Sequence, residues 1–230
     1  RDEHIIAAIP VQDFEKPNYL LFVTKHGMVK KTELKQYFAQ RISKPLIAIN
    51  LKDDDELVDV HITDGKKELI LSTYLGYGLR FSEEEISPIG IRATGVKGIN
   101  LKPGDYVTAG QIVEDENRQT MVVATQRGAI KRMPLDVLEP LSRAKRGVIM
   151  HRELKSNPHR IIGFVLAYED DHVLLTTENG HAEIVDVKSL RLNDRYTNGS
   201  FLYDEKEVGK TTSIQTIIKE PIKQQNIEEE

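Results

Sequence analysis

Four segments of the chain superimpose when each is aligned on one glycine, and this internal repeat is the strongest constraint on the fold. The segments are LLFVTKHGMVKK around Gly27, LILSTYLGYGLR around Gly76, MVVATQRGAIKR around Gly128 and VLLTTENGHAEI around Gly180. Successive glycines lie 49, 52 and 52 residues apart, and a threonine stands at the third position before each of them. A period near 50 residues with several strands per unit is typical of propeller architectures.

Each repeat is consistent with four short strands. An apolar, β-rich opening segment (HIIAAIPV at 4–11 in the first repeat) is followed by a polar turn and by an unbroken apolar run, which predicts a strand buried on both faces. The Thr-x-x-Gly turn then suits a hairpin with glycine in the left-handed region. A third strand leads to a loop that carries an arginine, and a fourth strand follows (LIAINL at 46–51 in the first repeat).

The opening segment recurs a fifth time at 211–218, without the rest of the unit. The chain therefore starts and stops at the same phase of the repeat, as expected if neighbouring blades exchange strands. We predict an all-β pinwheel, a propeller-like disc of four-stranded antiparallel blades with about 50 residues per repeat. The predicted domain covers 1–218, and 219–230 is expected to be an acidic, disordered tail.

The composition excludes several classes of protein. The 230 residues contain no cysteine, which rules out disulfides, zinc–thiolate sites and cysteine nucleophiles and fits a cytoplasmic protein. No apolar run approaches the ~18 residues of a membrane span, so we expect no membrane partner. The chain starts at Arg1 rather than methionine, as a piece of a longer protein would.

No motif predicts catalysis. VGKTT at 208–212 ends like a phosphate-binding loop, but Asp204 occupies the position where that motif requires glycine. A polar turn between blades is the better interpretation. No cluster of histidines or carboxylates suggests a metal site, so we expect no catalytic residue and no cofactor in this chain.

Positive charge is concentrated locally, although the formal net charge is −4. Residues 25–44 carry six basic side chains and one acid, and residues 127–160 carry nine and three. Cations recur at the third and fourth positions after the repeat glycine, and an arginine recurs in the following loop at spacings of 51, 51 and 52 residues. Equivalent positions of a repeat fall along one rim, where regularly spaced cations could match the phosphates of a bent duplex. The alternative is that these loops carry charge for solubility.

The predicted partner is thus duplex DNA, contacted without much sequence information. The candidate DNA-binding residues are Lys30, Lys31, Arg41, Lys44, Arg80, Arg92, Lys97, Arg127, Lys131, Arg132, Arg143, Lys145, Arg146 and Arg195. The fourth repeat, with ENGHAEIVD, is expected to bind weakly or not at all.

The repeat length, the T-x-x-G-x-x-K-R hairpin and the loops RAKRGV and ATGVKGINL resemble the C-terminal domain of the A subunit of bacterial type IIA topoisomerases, a family that includes DNA gyrase and topoisomerase IV. The resemblance covers essentially the whole chain. It implies a β-pinwheel with strands exchanged between blades, whose basic outer rim binds and bends DNA. It also implies that the cleaving tyrosine lies in an upstream domain, that an ATPase B subunit completes a heterotetramer using ATP and Mg, and that the protein works beside the bacterial nucleoid. The fragment alone is expected to be a monomer.

Two departures from the family pattern bear on the function. RATGVKG at 92–98 and SRAKRGV at 142–148 do not match the gyrase box Q-R-R-G-G-K-G, which favours topoisomerase IV, with relaxation and decatenation, over gyrase, with wrapping for supercoiling. Four repeats rather than the usual five or six leave an open arc or a rebuilt closure. A protein-interaction propeller without DNA binding is the alternative from another class.

Overall fold

The computed structural model describes residues 4–38, 45–52 and 54–217. Its strands are β1 Tyr19–Thr24, β2 Met28–Glu33, β3 Leu57–Thr63, β4 Glu68–Thr73, β5 Tyr77–Ser82, β6 Val96–Lys97, β7 Val107–Val113, β8 Thr120–Thr125, β9 Ala129–Pro134, β10 Val148–Ile149, β11 Ile161–Ala167, β12 His172–Thr177, β13 Ala182–Asp186, β14 Ser200–Phe201 and β15 Thr211–Ile217. Four 3-10 helical turns follow the hairpins, at Leu34–Tyr37, Glu83–Glu85, Leu135–Val137 and Val187–Ser189, and one short helix, α1, covers Glu205–Val208.

The strands form four antiparallel sheets, one per repeat, which confirms the all-β blade architecture. The sheet orders are β3-β1-β2-β6, β10-β5-β4-β7, β11-β8-β9-β14 and β13-β12-β15. In the first three sheets, one repeat contributes the central hairpin and the following repeat contributes the strands on both sides of it, whereas in the fourth sheet only β15 joins the hairpin among the described residues. Strand exchange is therefore present at the inner and at the outer edge of the blades.

The central strands β1, β4, β8 and β12 correspond to the apolar runs of the sequence, and their side chains pack between neighbouring sheets. One cluster, including Leu21, Leu71 and Phe81, joins the first two sheets, and another, including Ile70, Met121 and Phe164, joins the second to the third. A third cluster, including Val122 and Leu175, joins the third to the fourth. The core consequently consists of three layers between four blades, as in a propeller.

The inner strands β3, β7, β11 and β15 meet at the centre of the arrangement. They line a cavity of about 190 Å³, whose walls include Val58, Ala109, Phe164 and Ile214. The outermost strands β6, β10 and β14 lie at the opposite edge of their sheets. This radial order defines which loops can form a rim.

Two predicted strands of the first repeat are absent. Residues 4–11 and 46–51 have no regular secondary structure. In later repeats the equivalent segments pair with the hairpin of the preceding repeat, and the described chain offers no such hairpin to the first. Conversely, the outer edge of β13 carries no fourth strand among the described residues, so the fourth blade has three strands rather than the predicted four. The fifth opening segment does form β15, and the tail at 219–230 lies outside the described residues.

Candidate nucleic-acid interface

The Thr-x-x-Gly turns connect the central hairpins, and their geometry explains both recurring residues. Gly27, Gly76, Gly128 and Gly180 have φ between +80° and +97°, the region that glycine adopts without strain. The hydroxyl of Thr24 accepts a hydrogen bond of 3.1 Å from the amide of Met28, and Thr73 and Thr177 make the same bond. The repeated motif therefore has a structural role in the hairpin turn.

Three segments, which we call the rim loops, lie at the outer edge of the blades: residues 89–98, 141–150 and 193–202. Each starts with an amide bonded to the hairpin of the preceding repeat, as in Ile89 N–H to Lys31 O at 2.8 Å. Each ends with a second such bond, as in Gly98 N–H to Gly27 O at 2.7 Å. Because the outermost strands β6, β10 and β14 belong to these loops, the loops occupy equivalent positions in successive blades.

A glycine in each rim loop allows the loop to lie close to the backbone of the preceding blade. The sequence analysis did not identify these glycines. A Cβ added to Gly95, Gly147 or Gly199 would lie 2.6, 2.1 or 2.2 Å from a carbonyl oxygen of the preceding blade, and all three have positive φ. These glycines are 52 residues apart. Their regular spacing is the signal that could have identified them.

Five of the predicted DNA-binding cations are buried, and this burial argues against direct contact with DNA. The exposed fractions are 0% for Lys30, 3% for Lys31, 2% for Arg80, 4% for Lys131 and 7% for Arg132. The cations at the fourth position face the following blade, the lysines at the third position point to the opposite face of the strand, and all five bond to oxygen atoms inside the protein. The sequence of a strand does not say what packs against it, so the burial of these cations could not be predicted.

The cation at the fourth position after the glycine links consecutive blades. Lys31 donates to the carbonyl of Glu83 at 2.8 Å, and Arg80 donates to that of Leu135 at 3.3 Å. Arg132 reaches the carbonyl of Val187 at 3.4 Å in the same way. Each acceptor is the first residue of the 3-10 turn of the following repeat.

The fourth repeat has no such link, and its residue at this position is Ile184. The side chain of Ile184 is 60% exposed. A cation is therefore found at this position in the three repeats whose hairpin faces a following blade.

The lysines at the third position hold the rim loops from inside. Lys131 Nζ donates to the carbonyl oxygens of Met150, Asp194, Arg195 and Thr197. Lys30 Nζ donates to those of Ala48 and Ile91. Burial lowers the pKa of both lysines to about 8, because an ammonium loses its hydration there.

The repeated arginine of the loop is also partly structural. Arg143 is half-buried and donates through Nη1 to Lys97 O at 2.5 Å and through Nε to Glu85 O at 3.2 Å. Arg195 donates to Ile149 O at 3.3 Å and stacks on Tyr196. Both guanidinium groups thus tie one rim loop to the preceding one. Arg41 and Lys44 lie outside the described residues.

The exposed cations of the rim loops are the remaining candidates for contact with a polyanion. Arg92, Lys97, Lys145 and Arg146 are exposed, and Lys97 donates to Asn100 at 2.8 Å. Residues 89–98 carry two cations and residues 141–150 carry three, with no acid in either loop. Residues 193–202 carry one arginine and one aspartate. Positive charge is therefore concentrated on the first two rim loops.

Arg127 belongs to the hairpin turn of the third repeat, outside the rim loops in sequence, but its side chain contacts the third rim loop at Phe201. Its guanidinium is 5.2 Å from the ring of Phe201, Nη1 donates to Asn157 O at 2.8 Å, and Nε lies 3.5 Å from Glu205. It lines a cavity of about 440 Å³ with these residues. The neighbouring His159 is buried, and its pKa is lowered to about 4 by burial and by the Arg127 charge.

Gly209 and Lys210 connect α1 to β15, which begins at Thr211, and the amide of Lys210 donates to the carboxylate of Glu178 at 3.1 Å. This agrees with a polar connection between blades. In the described ranges no three histidines or carboxylates converge as a metal site would require. The helices found there are too short or too polar to cross a bilayer.

Comparison with known proteins gives the class of this fold. The family model of the DNA gyrase C-terminal domain, a β-propeller, matches residues 18–64, 67–114 and 119–167, which is more than half of the chain. The chain therefore belongs to the family of DNA gyrase C-terminal domains, the C-terminal domains of type IIA topoisomerase A subunits. The resemblance seen in the repeats is confirmed.

Among individual proteins, the A subunit of DNA topoisomerase 4 from Bacillus subtilis (strain 168) is 52% identical over 214 residues, 93% of this chain and 26% of that protein. Its counterpart in Staphylococcus epidermidis (strain ATCC 12228 / FDA PCI 1200) is 36% identical over 213 residues, with the same coverage. The chain thus spans about a quarter of the length of these relatives.

Two solved structures agree with the fold. The crystal structure of the C-terminal domain of DNA topoisomerase IV has a TM-score of 0.91 and 56% identity, covering 94% of this chain and 67% of that one. A DNA gyrase A C-terminal domain has a TM-score of 0.77, with 20% identity and coverage of 90% and 68%, and shows the fold alone. Of these two structures, that of topoisomerase IV is the more similar, as the sequence predicted.

Proposed function

We propose that this chain is the DNA-binding and DNA-bending C-terminal domain of a topoisomerase IV A subunit. The observation that carries the proposal is the placement of the exposed cations Arg92, Lys97, Lys145 and Arg146 on two successive rim loops that contain no acid. Phosphates of a duplex passing along the rim would meet these cations in turn, with an affinity that depends strongly on salt and little on sequence.

The rim loops provide the geometry for bending. They are joined to one another by backbone hydrogen bonds, such as Ala144 N–H to Gly98 O and Asn100 N–H to Lys145 O, both of 2.8 Å. Adjacent cationic loops therefore keep a fixed spacing around the disc. A duplex bound to both loops must follow their curvature, and its bending cost would be offset by the additional phosphate contacts.

In the whole enzyme, this domain would hold the DNA segment beside the cleavage core during ATP-dependent strand passage, leading to relaxation, decatenation and chromosome segregation. The remainder of the enzyme, in the bacterial cytoplasm, would supply the chemistry: the upstream domains would cleave DNA, and the B subunit would hydrolyse ATP. The chain described here needs no cofactor for the proposed binding.

The proposal is tested with a labelled linear duplex in low salt. We compare the unmodified chain with the triple variant R92E/K145E/R146E and with the control K16E/K66E/R118E. The control residues are exposed in the turns that lead into β1, β4 and β8, and the change in net charge is the same. We expect the rim variant to bind much more weakly, and the slope of log affinity against log salt to fall by about 0.9 per lost phosphate contact. Equal losses in both variants would contradict a rim site.

Bending is measured separately, by energy transfer between dyes at the two ends of the duplex. We expect the chain to bring the ends closer, and the rim variant to bring them less close at saturating concentration. Binding without any change in transfer would refute the bending part. If the unmodified chain fails to bind DNA in low salt, the protein-interaction propeller becomes the better hypothesis. Strong, chiral wrapping would instead favour a gyrase-like role.

A further inference from the structure

We infer that Lys30 and Lys131 are positioning residues, whose buried ammonium groups fix consecutive rim loops in the arrangement that presents the exposed cations to DNA. This inference rests on the proposed function, because it concerns the loops that would hold the duplex. It assigns to these lysines a role other than the phosphate contact that their sequence position predicted.

The surroundings of Lys131 show how one ammonium joins two loops. Its acceptors are Met150, at the end of the second rim loop, and Asp194, Arg195 and Thr197, inside the third. The three donor–acceptor distances to the third loop are 3.2, 3.2 and 2.7 Å. An ammonium has three N–H donors and no acceptor, so the four carbonyl oxygens engage all of its donors, with one N–H shared between two of them. Without it, these carbonyl dipoles would converge on one point without a donor.

Lys30 repeats this arrangement two junctions earlier, between the first and second repeats. Its Nζ donates to Ala48 O at 2.7 Å and to Ile91 O, and it lies 5.4 Å from the centroid of the Phe22 ring. Ile91 and Arg195 both stand fifteen residues after their repeat glycines, Gly76 and Gly180. The two lysines therefore bind the same phase of the rim loop: Lys30 binds the residue before the repeated arginine Arg92, and Lys131 binds the carbonyl of the repeated arginine Arg195.

The junction between the second and third repeats is held differently, which provides an internal comparison. Leu79 occupies the lysine position there and is fully buried. At that junction Arg143 makes the link, through its bonds to the carbonyls of Glu85 and Lys97. The fold thus accepts leucine at this position, where Arg143 links two rim loops as Arg195 does at the junction of Lys131.

The experiment compares Lys131→Leu with Lys145→Leu in the 230-residue chain. Each variant removes one positive charge, from a buried site in the first case and from an exposed site on a rim loop in the second. Leu79 indicates that a leucine is compatible with the position of Lys131. Amide hydrogen exchange of residues 193–198 is measured first, with the β12–β13 hairpin as the internal reference, and affinity for the labelled linear duplex is measured second.

In Lys131→Leu we expect exchange in residues 193–198 to be roughly tenfold faster, with the reference unchanged, because the loop opens locally. DNA affinity should fall as well. In Lys145→Leu we expect normal exchange and a salt slope smaller by about 0.9, as for the loss of one phosphate contact.

Unchanged exchange in Lys131→Leu overturns the inference, whatever happens to DNA binding. Faster exchange with unchanged affinity also overturns it, because the loop order would then not matter for DNA. If the unmodified chain does not bind DNA, the proposed function fails, and exchange alone decides whether the lysine orders the loop. If Lys131→Leu unfolds, the reference hairpin will exchange too, and Lys30→Leu, read at residues 89–95, takes its place under the same criteria.

Discussion

Arg80 stands at a position where the sequence predicted a DNA contact, but in the structure it links two blades inside the protein. A substitution of this residue tests that finding directly. Arg80 is 2% exposed, it pairs with Glu68 and Glu116 at 2.5 and 2.6 Å, and it donates to Leu135 O in the third repeat. We consider Arg80→Met, which keeps an apolar stem of similar length while removing the charge and all donors.

The expected loss of stability follows from the groups that lose a partner when the guanidinium is removed. Removing one partner of a buried ion pair costs about 3–5 kcal/mol. The Glu68 and Glu116 side chains are 26% and 63% exposed, so water can rehydrate them and the loss lies toward the lower end. The carbonyl of Leu135 loses a hydrogen bond worth about 1 kcal/mol. We expect a destabilisation of about 3 kcal/mol.

The assay is urea unfolding followed by circular dichroism, with the slope m checked for a change in cooperativity, since repeat arrays can unfold in parts. Arg146→Met, which removes an exposed rim cation, is the control and should change stability by less than about 0.5 kcal/mol. DNA affinity per folded molecule should remain unchanged in Arg80→Met and fall in Arg146→Met. The reasoning is refuted if Arg80→Met is as stable as the parent but lowers DNA affinity and flattens its salt dependence, because Arg80 would then reach a phosphate.

Three further outcomes follow from the contacts described. Gly147→Ala should destabilise the protein by more than about 1 kcal/mol, because φ is +80° and the new Cβ would lie 2.1 Å from Gly78 O; an unchanged urea midpoint would contradict this. The pKa of His159 is about 4 in the folded protein, so the unfolded chain takes up a proton first as the pH falls, and the free energy of unfolding should decrease between about pH 6.5 and 4. His159→Gln should make the free energy of unfolding less dependent on pH in this range. Equal slopes of stability against pH for the parent and the variant between about pH 7 and 5 would contradict this. Lys131, which faces Asp194 and His151, has a pKa lowered from 10.5 to about 8, so the opened loop holds the proton more tightly than the closed loop; exchange in residues 193–198, corrected for intrinsic rates, should slow as the pH rises from about 8 toward 10.5, whereas Lys131→Leu should show no such step.

Much of the architecture could be predicted because it is encoded locally. Hairpin turns need threonine and a glycine with positive φ at fixed positions, and a strand buried on both faces needs an unbroken apolar run. The four hairpins around Gly27, Gly76, Gly128 and Gly180 and the recurrence of the opening strand at Thr211–Ile217 were therefore visible in the sequence. Among the site residues, the exposed cations Arg92, Lys97, Lys145 and Arg146 lie on loops at the outer edge, as the repeat phase indicated.

The exposure of the cations and the missing strands of the first repeat depend instead on packing between repeats. Lys30 and Lys31 point to opposite faces of β2, and strand alternation predicts this, but it does not predict whether either face meets water or another part of the protein. The first repeat shows the same dependence, since residues 4–11 and 46–51 have strand-like sequences and form no strand where no preceding hairpin among the described residues pairs with them. The sequence by itself determined the repeat, its turns and its strands, because these depend on nearest neighbours along the chain. Only the tertiary structure decided which cations are exposed, because burial depends on carbonyl groups that lie some 55 to 66 residues away in the following blade.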